Sequence, residues 1–138
     1  MIFLSSDNGP VLDDGYVDDA IEKLGKHSPT GSLRGGKYSL YEAGTRVPFI
    51  TYWKGNIEAG VSNNIISQVD WLASLSSMVN KPIKNLDSEN HMDFLLGKVK
   101  EGRSNIILEA TSRTAYREGN WVLIPPYPGP KMFLTKGI

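Results

Sequence analysis

The sequence has no cysteine, so no disulfide braces the fold, and this absence alone does not fix a compartment. It has no charge excess either: 15 Lys and Arg balance 15 Asp and Glu. With that balance, and with no basic stripe carrying interleaved aromatic residues, there is no electrostatic footprint for nucleic acid. No apolar run is long enough to span a membrane. Internal repeats and low-complexity tracts are missing, and the glycine spacings match neither a Walker loop nor a dinucleotide fingerprint.

Two segments carry most of the information. In the first, Met1 to Ser6 is an apolar, β-branched run broken by Gly9-Pro10, the pattern of a buried strand that delivers Asp7 and Asn8 into a turn. Open α/β sheets place ligand chemistry at such strand ends. A carboxylate beside a carboxamide offers only hard oxygen donors, which suit Ca²⁺ or Mg²⁺ better than Zn²⁺. Asp-Asn-Gly-Pro is also ordinary turn chemistry. In the second segment, Gly35-Gly36 permits positive φ or close backbone approach, and Lys37 follows with a compact, mobile cation suited to a tetrahedral oxyanion such as sulfate or phosphate.

Taken in order, Ser6-Asp7-Asn8-Gly9-Pro10, the tract Leu33 to Ile50 (LRGGKYSLYEAGTRVPFI) and the Trp53-Lys54-Gly55 turn resemble the C-terminal half of a formylglycine-dependent sulfatase of the arylsulfatase type, in the alkaline phosphatase superfamily. The likeness continues through Ser67-Gln68-Val69-Asp70, Leu95-Leu96-Gly97-Lys98 and Tyr116 to Trp121. It implies that Asp7 and Asn8 ligate a divalent cation, Ca²⁺ or Mg²⁺, and that Lys37 contacts the sulfate ester. Two-zinc phosphatases and phosphodiesterases of the superfamily carry Asp-His where this chain has Asp7-Asn8, because imidazole suits zinc and an amide oxygen does not. Asn8 therefore points to a one-cation, sulfatase-type site.

Such sulfatases attack sulfur with a hydrated formylglycine made from the first residue of Cys/Ser-x-Pro-x-Arg. No serine here begins that motif. The resemblance also places the upstream aspartate ligands, the catalytic histidine and a second lysine outside this chain. The expectation is a fragment of a sulfuric ester hydrolase, inactive by itself, from a parent that is periplasmic or exported. The alternative is a non-catalytic remnant or binding domain from an internal start or a disrupted gene. No signal-peptide pattern is visible, which says little of a fragment.

The expected fold is α/β, the C-terminal part of an alkaline-phosphatase-like sulfatase fold over residues 1–100, with a small antiparallel sheet over 101–138. Strand Ile2 to Ser6 is expected to need parallel neighbours on both sides. Left without them, its apolar faces and unpaired backbone make the chain prone to self-association. Asp13-Asp14 cap a short helix with Tyr16, Ala20, Ile21 and Leu24 on its apolar face, ended by Gly25. His27 follows in a polar loop, either solvated or at the substrate mouth. Glu42 and Arg46 have ion-pair spacing if helical, although Gly44 and Val47-Pro48 favour a turn, and their role reads as structural.

Pro48 to Lys54 reads as a strand. Ser67 to Asp70 resembles a capping box before a helix whose Trp71, Leu72, Leu75, Met78 and Val79 form core. Residues 87–93 are rich in oxygen donors but lack the glycine and terminal glutamate of an EF-hand, and read as a polar loop before a short helix from Phe94 to Gly97. Beyond residue 100, strands are expected over 105–110, 114–118, 121–125 and 131–135. Gly119-Asn120 makes the middle hairpin, and the proline-rich tract after Pro125 forms a loop.

Overall fold

The computed structural model describes residues 1–11, 13, 15–84 and 87–126. Its first sheet joins β1 (Ile2–Ser5) to β2 (Phe49–Tyr52) in antiparallel register, Ile2 opposite Tyr52 and Ser5 opposite Phe49. The neighbour of β1 is thus antiparallel, where parallel neighbours were expected on both sides. The pleat gives the reason. Phe3, Ser5, Phe49 and Thr51 face inward, while Ile2, Leu4, Ile50 and Tyr52 are exposed, the alternation of a half-buried antiparallel ribbon. Phe3 and Phe49 tilt against Trp71 with ring centroids 5.4 and 5.7 Å away.

Trp71 lies on α3 (Asp70–Met78), the longest helix among the described residues. Its buried face differs from the expected one. Asp70, Ala73 and Ser74 are buried, whereas Leu72, Leu75, Met78 and Val79 are exposed. A polar segment fixes this orientation. The Ala73 N–H donates to Ser88 Oγ at 2.9 Å, and the His91 N–H donates to Ser74 Oγ at 2.9 Å. Side chains this small let the 88–91 backbone approach the helix, which turns its larger residues outward. The segment is a polar loop, as expected. It leads into α4 (Met92–Leu95), which starts earlier than Phe94 because Asn90 Oδ1 accepts the Met92 N–H at 3.1 Å. Met92 and Leu95 are buried.

Helix α1 (Ala20–Leu24) is shorter than expected and buries none of its residues. Asp13 spends a carboxylate oxygen on the Gly15 N–H at 3.0 Å, a local turn that competes with helix. Tyr16 therefore stands before the helix and exposed, Asp18 Oδ1 takes the Ala20 N–H, and Gly25 ends the helix at φ 60°. Asp14 lies outside the described residues.

The second sheet has the order β3 (Asn105–Ala110), β4 (Arg113–Glu118), β5 (Trp121–Leu123), all antiparallel. Glu118 pairs with Trp121 across Gly119-Asn120, as expected, with positive φ at Gly119. The expected strand over 131–135 and the proline-rich loop beyond Pro126 lie outside the described residues. Arg103 ties this sheet to the rest: its N–H donates to the Ile65 carbonyl at 2.7 Å and its Nη1 meets Asp70 Oδ1 at 2.5 Å.

Candidate functional site

The turn that follows β1 is fastened from three sides. Gln68 Nε2 donates to Ser5 Oγ at 2.8 Å and to the Ser6 carbonyl at 2.7 Å, holding the end of the strand against the approach to α3. Ser6 Oγ donates to the Asn8 carbonyl at 2.9 Å, which rounds the turn. The Gly9 N–H then donates to the Gly44 carbonyl at 3.0 Å. Gly44 belongs to α2 (Glu42–Thr45), a short helix where a turn was expected. A Cβ on Gly9 would overlap the Ala43 carbonyl, and one on Gly44 would overlap the Ser39 and Gly36 carbonyls. Both glycines are there for close backbone approach.

The lysine turn joins the same knot. The Lys37 N–H donates to the Pro10 carbonyl at 2.9 Å, the Ala43 N–H to the Arg34 carbonyl at 3.0 Å, and the Ser39 N–H to the Gly36 carbonyl at 3.1 Å. Gly35 adopts φ 91° and so needs its missing side chain, as the sequence suggested for this pair. Arg34 lies over the Tyr41 ring at 3.9 Å. These bonds bring the Asp7-Asn8 turn and Lys37, 30 positions apart in sequence, to one edge of the fold. Val11, Asp13, Gly35, Gly36, Lys37 and Tyr38 line an open cleft of ≈ 220 Å³ beside them. His27 does not line it; it stands exposed after α1, its N–H on the Leu24 carbonyl at 3.1 Å.

Among the described residues, the groups around the turn divide into unpartnered and paired ones. The Asp7 carboxylate and the Asn8 carboxamide take no partner among the described residues, and the Lys37 ammonium meets no carboxylate there, only the Tyr38 ring at 5.2 Å. Glu42 is engaged on two sides, by Arg117 of β4 and by Arg46 at 3.4 Å. The Arg117 hydrogen bond, with the Arg46 charge behind it, holds the Glu42 carboxyl below its usual value despite partial burial. Glu42 and Arg46 form the ion pair that their spacing allowed if helical. Arg117 escaped notice because its partner lies 75 residues away, and Gly9 and Gly44 because only their contacts distinguish them from turn glycines.

The model of the Sulfatase family matches residues 1–81. The chain belongs to the sulfatase family. An N-acetylgalactosamine-6-O-sulfatase of Bacteroides thetaiotaomicron is 42% identical over 134 residues, which are 94% of this chain and 26% of that protein. Human arylsulfatase A is 30% identical over 108 residues, 77% of this chain and 20% of its own length. A solved structure from work on the metabolism of multiple glycosaminoglycans by Bacteroides thetaiotaomicron superposes with a TM-score of 0.87 at 41% identity, covering 94% of this chain and 28% of that one. The chain therefore spans about a quarter of the length of the first of these relatives. Its helices and small antiparallel sheets are part of an alkaline-phosphatase-like sulfatase fold, the α/β class expected from the sequence. Sulfatases as a family work with a metal ion and a formylglycine.

Proposed function

We propose that this sulfatase chain is the C-terminal portion of an organic sulfate ester hydrolase, and that it supplies the enzyme with one side of the cation site and one sulfate-binding cation. The observation that carries this reading is the backbone knot that ties the Asp7-Asn8 turn, through Gly9 and Pro10, to Gly44 and Lys37. Asp7 and Asn8 present unpartnered hard oxygen donors, which fit Ca²⁺, with Mg²⁺ as the second choice. Bound there, the ion would neutralise charge on the ester oxygens. Lys37 adds a half-buried side chain whose ammonium meets no carboxylate among the described residues. No residue of this chain supplies the formylglycine, because Cys/Ser-x-Pro-x-Arg does not occur in it. Residues 1–100 belong to the catalytic domain and those from 101 on to a small subdomain, whose described part, 101–126, is antiparallel and fastened through Arg103 and Arg117. The parent enzyme is periplasmic or exported, and its substrate class follows its relatives, one of which is named for a sulfated sugar.

The test is a pair of titrations of the 138-residue chain followed by backbone amide shifts. Calcium should move Asp7 and Asn8 and sulfate should move Gly36 and Lys37, each with a Kd on the order of 1 mM, since two ligands in a turn leave the ion mostly hydrated. Asn8→Ala should remove the first response and Lys37→Ala the second, and no chromogenic aryl sulfate should be hydrolysed. Turnover above an Asp7→Ala control, or a tight stoichiometric calcium site, would show that the chain is a self-sufficient enzyme or binding domain instead.

A further inference from the structure

Tyr38 follows Lys37 in the left-handed region, at φ 70°, where a side chain is strained and glycine is not. Burial does not offset that strain, because 53% of Tyr38 is exposed. Its ring lies 5.2 Å from the Lys37 ammonium, and Tyr38 lines the cleft that Asp13 also lines. A second left-handed element supports it. The β3–β4 hairpin turns through Thr111 and Ser112, both at positive φ, and Thr111 Oγ1 donates to the Tyr38 carbonyl at 3.4 Å. An aromatic side chain kept at a position suited to glycine, half-exposed beside an anion-binding cation, is a residue whose use lies in what it touches.

We propose that Tyr38 is a specificity-determining residue: its ring takes the apolar face of a pyranose whose sulfate sits on Lys37, while Asp13 accepts a sugar hydroxyl. The inference rests on Lys37 being the sulfate-binding residue. A pyranose is favoured over a flat aryl group because it brings hydroxyl donors to the Asp13 carboxylate, which an aryl ring would leave unmatched. One oxygen of that carboxylate already takes the Gly15 N–H, so its direction is fixed.

Tyr38→Gly tests this cleanly, since it removes the ring and relieves the backbone together. The probes are inorganic sulfate, phenyl sulfate and N-acetylgalactosamine 6-sulfate, titrated into the 138-residue chain and read at the Lys37 amide. The wild type should bind the sugar sulfate about threefold to tenfold more tightly than inorganic sulfate, the range of one aromatic contact. Tyr38→Gly should lose that preference, keep its affinity for inorganic sulfate and melt no lower than wild type; Tyr38→Phe should keep the preference. A preference that survives in Tyr38→Gly overturns the proposal. So does a lower melting temperature for that variant, because the ring would then be structural, and so does phenyl sulfate binding as tightly as the sugar ester. Failure of inorganic sulfate to respond to Lys37→Ala would instead overturn the reading of Lys37 itself.

Discussion

The Asp70 side chain is fully buried, and its oxygens take the Ser67 N–H at 3.2 Å, the Glu89 N–H at 2.9 Å and the Arg103 guanidinium at 2.5 Å. Arg103 continues to Glu89 at 2.9 Å, so one carboxylate organises the start of α3, the loop after it and the entry to the second sheet. Removing one member of a buried pair leaves the other charge uncompensated, at about 3–5 kcal/mol. Asp70→Ala should therefore destabilise the chain by about that amount, and Arg103→Ala comparably, measured by urea unfolding. A loss below about 1 kcal/mol for both would mean that water replaces the pair at little cost. The sequence showed half of this residue's part. The Ser67 N–H on Asp70 is the reciprocal half of the expected capping box, but Val69 stands as the helix's N-cap without a side-chain hydrogen bond, and the ion pair spans 33 positions that local pattern cannot bridge.

At the scale of elements, what was legible was local. Gly119-Asn120 specifies its hairpin through the dihedrals that glycine permits, and Asn105 to Ala110 forms the expected strand. The exposed face of α3 was read as core because helical spacing shows which residues share a face, not what packs against it. The union of the Asp7-Asn8 turn with the lysine turn was equally invisible, since it runs through backbone groups that carry no residue code. Gly9→Ala tests that union. Its methyl would strike the Ala43 carbonyl, so the Gly9–Gly44 hydrogen bond must break. The expected loss is about 1–3 kcal/mol, the usual cost of overpacking, measured by thermal unfolding. Calcium and sulfate responses at Asn8 and Lys37 should weaken together, because the two turns share the anchor. Retention of both responses would show that each turn holds its shape alone.

At the scale of the whole molecule, apolar surface is divided between a small interior and broad outer faces. Among the described residues the buried hydrophobic ones are few and mostly small or medium, such as Ala43, Ala73, Ala115, Met92 and Leu95, while Ile2 and Leu4 on β1 are each 61% exposed. Ile50 and Tyr52 extend that face on β2, and among the described residues β1 pairs with β2 alone. An apolar ribbon with an open edge is a template for pairing with another chain. The isolated 138-residue chain should therefore form dimers or larger assemblies as its concentration rises, and light scattering coupled to size exclusion reads this directly. The inward and outward faces of β1 decide which variant is informative. Phe3 packs on Trp71, so a charge there would disturb folding as much as association. Leu4 points outward opposite Ile50, so Leu4→Lys leaves the interior intact and places a charge in the middle of the face. It should shift the chain toward monomer with little change in unfolding midpoint. A wild-type chain that stays monomeric at high concentration and unfolds cooperatively would show that this ribbon needs no cover, which is the behaviour of a self-sufficient binding domain.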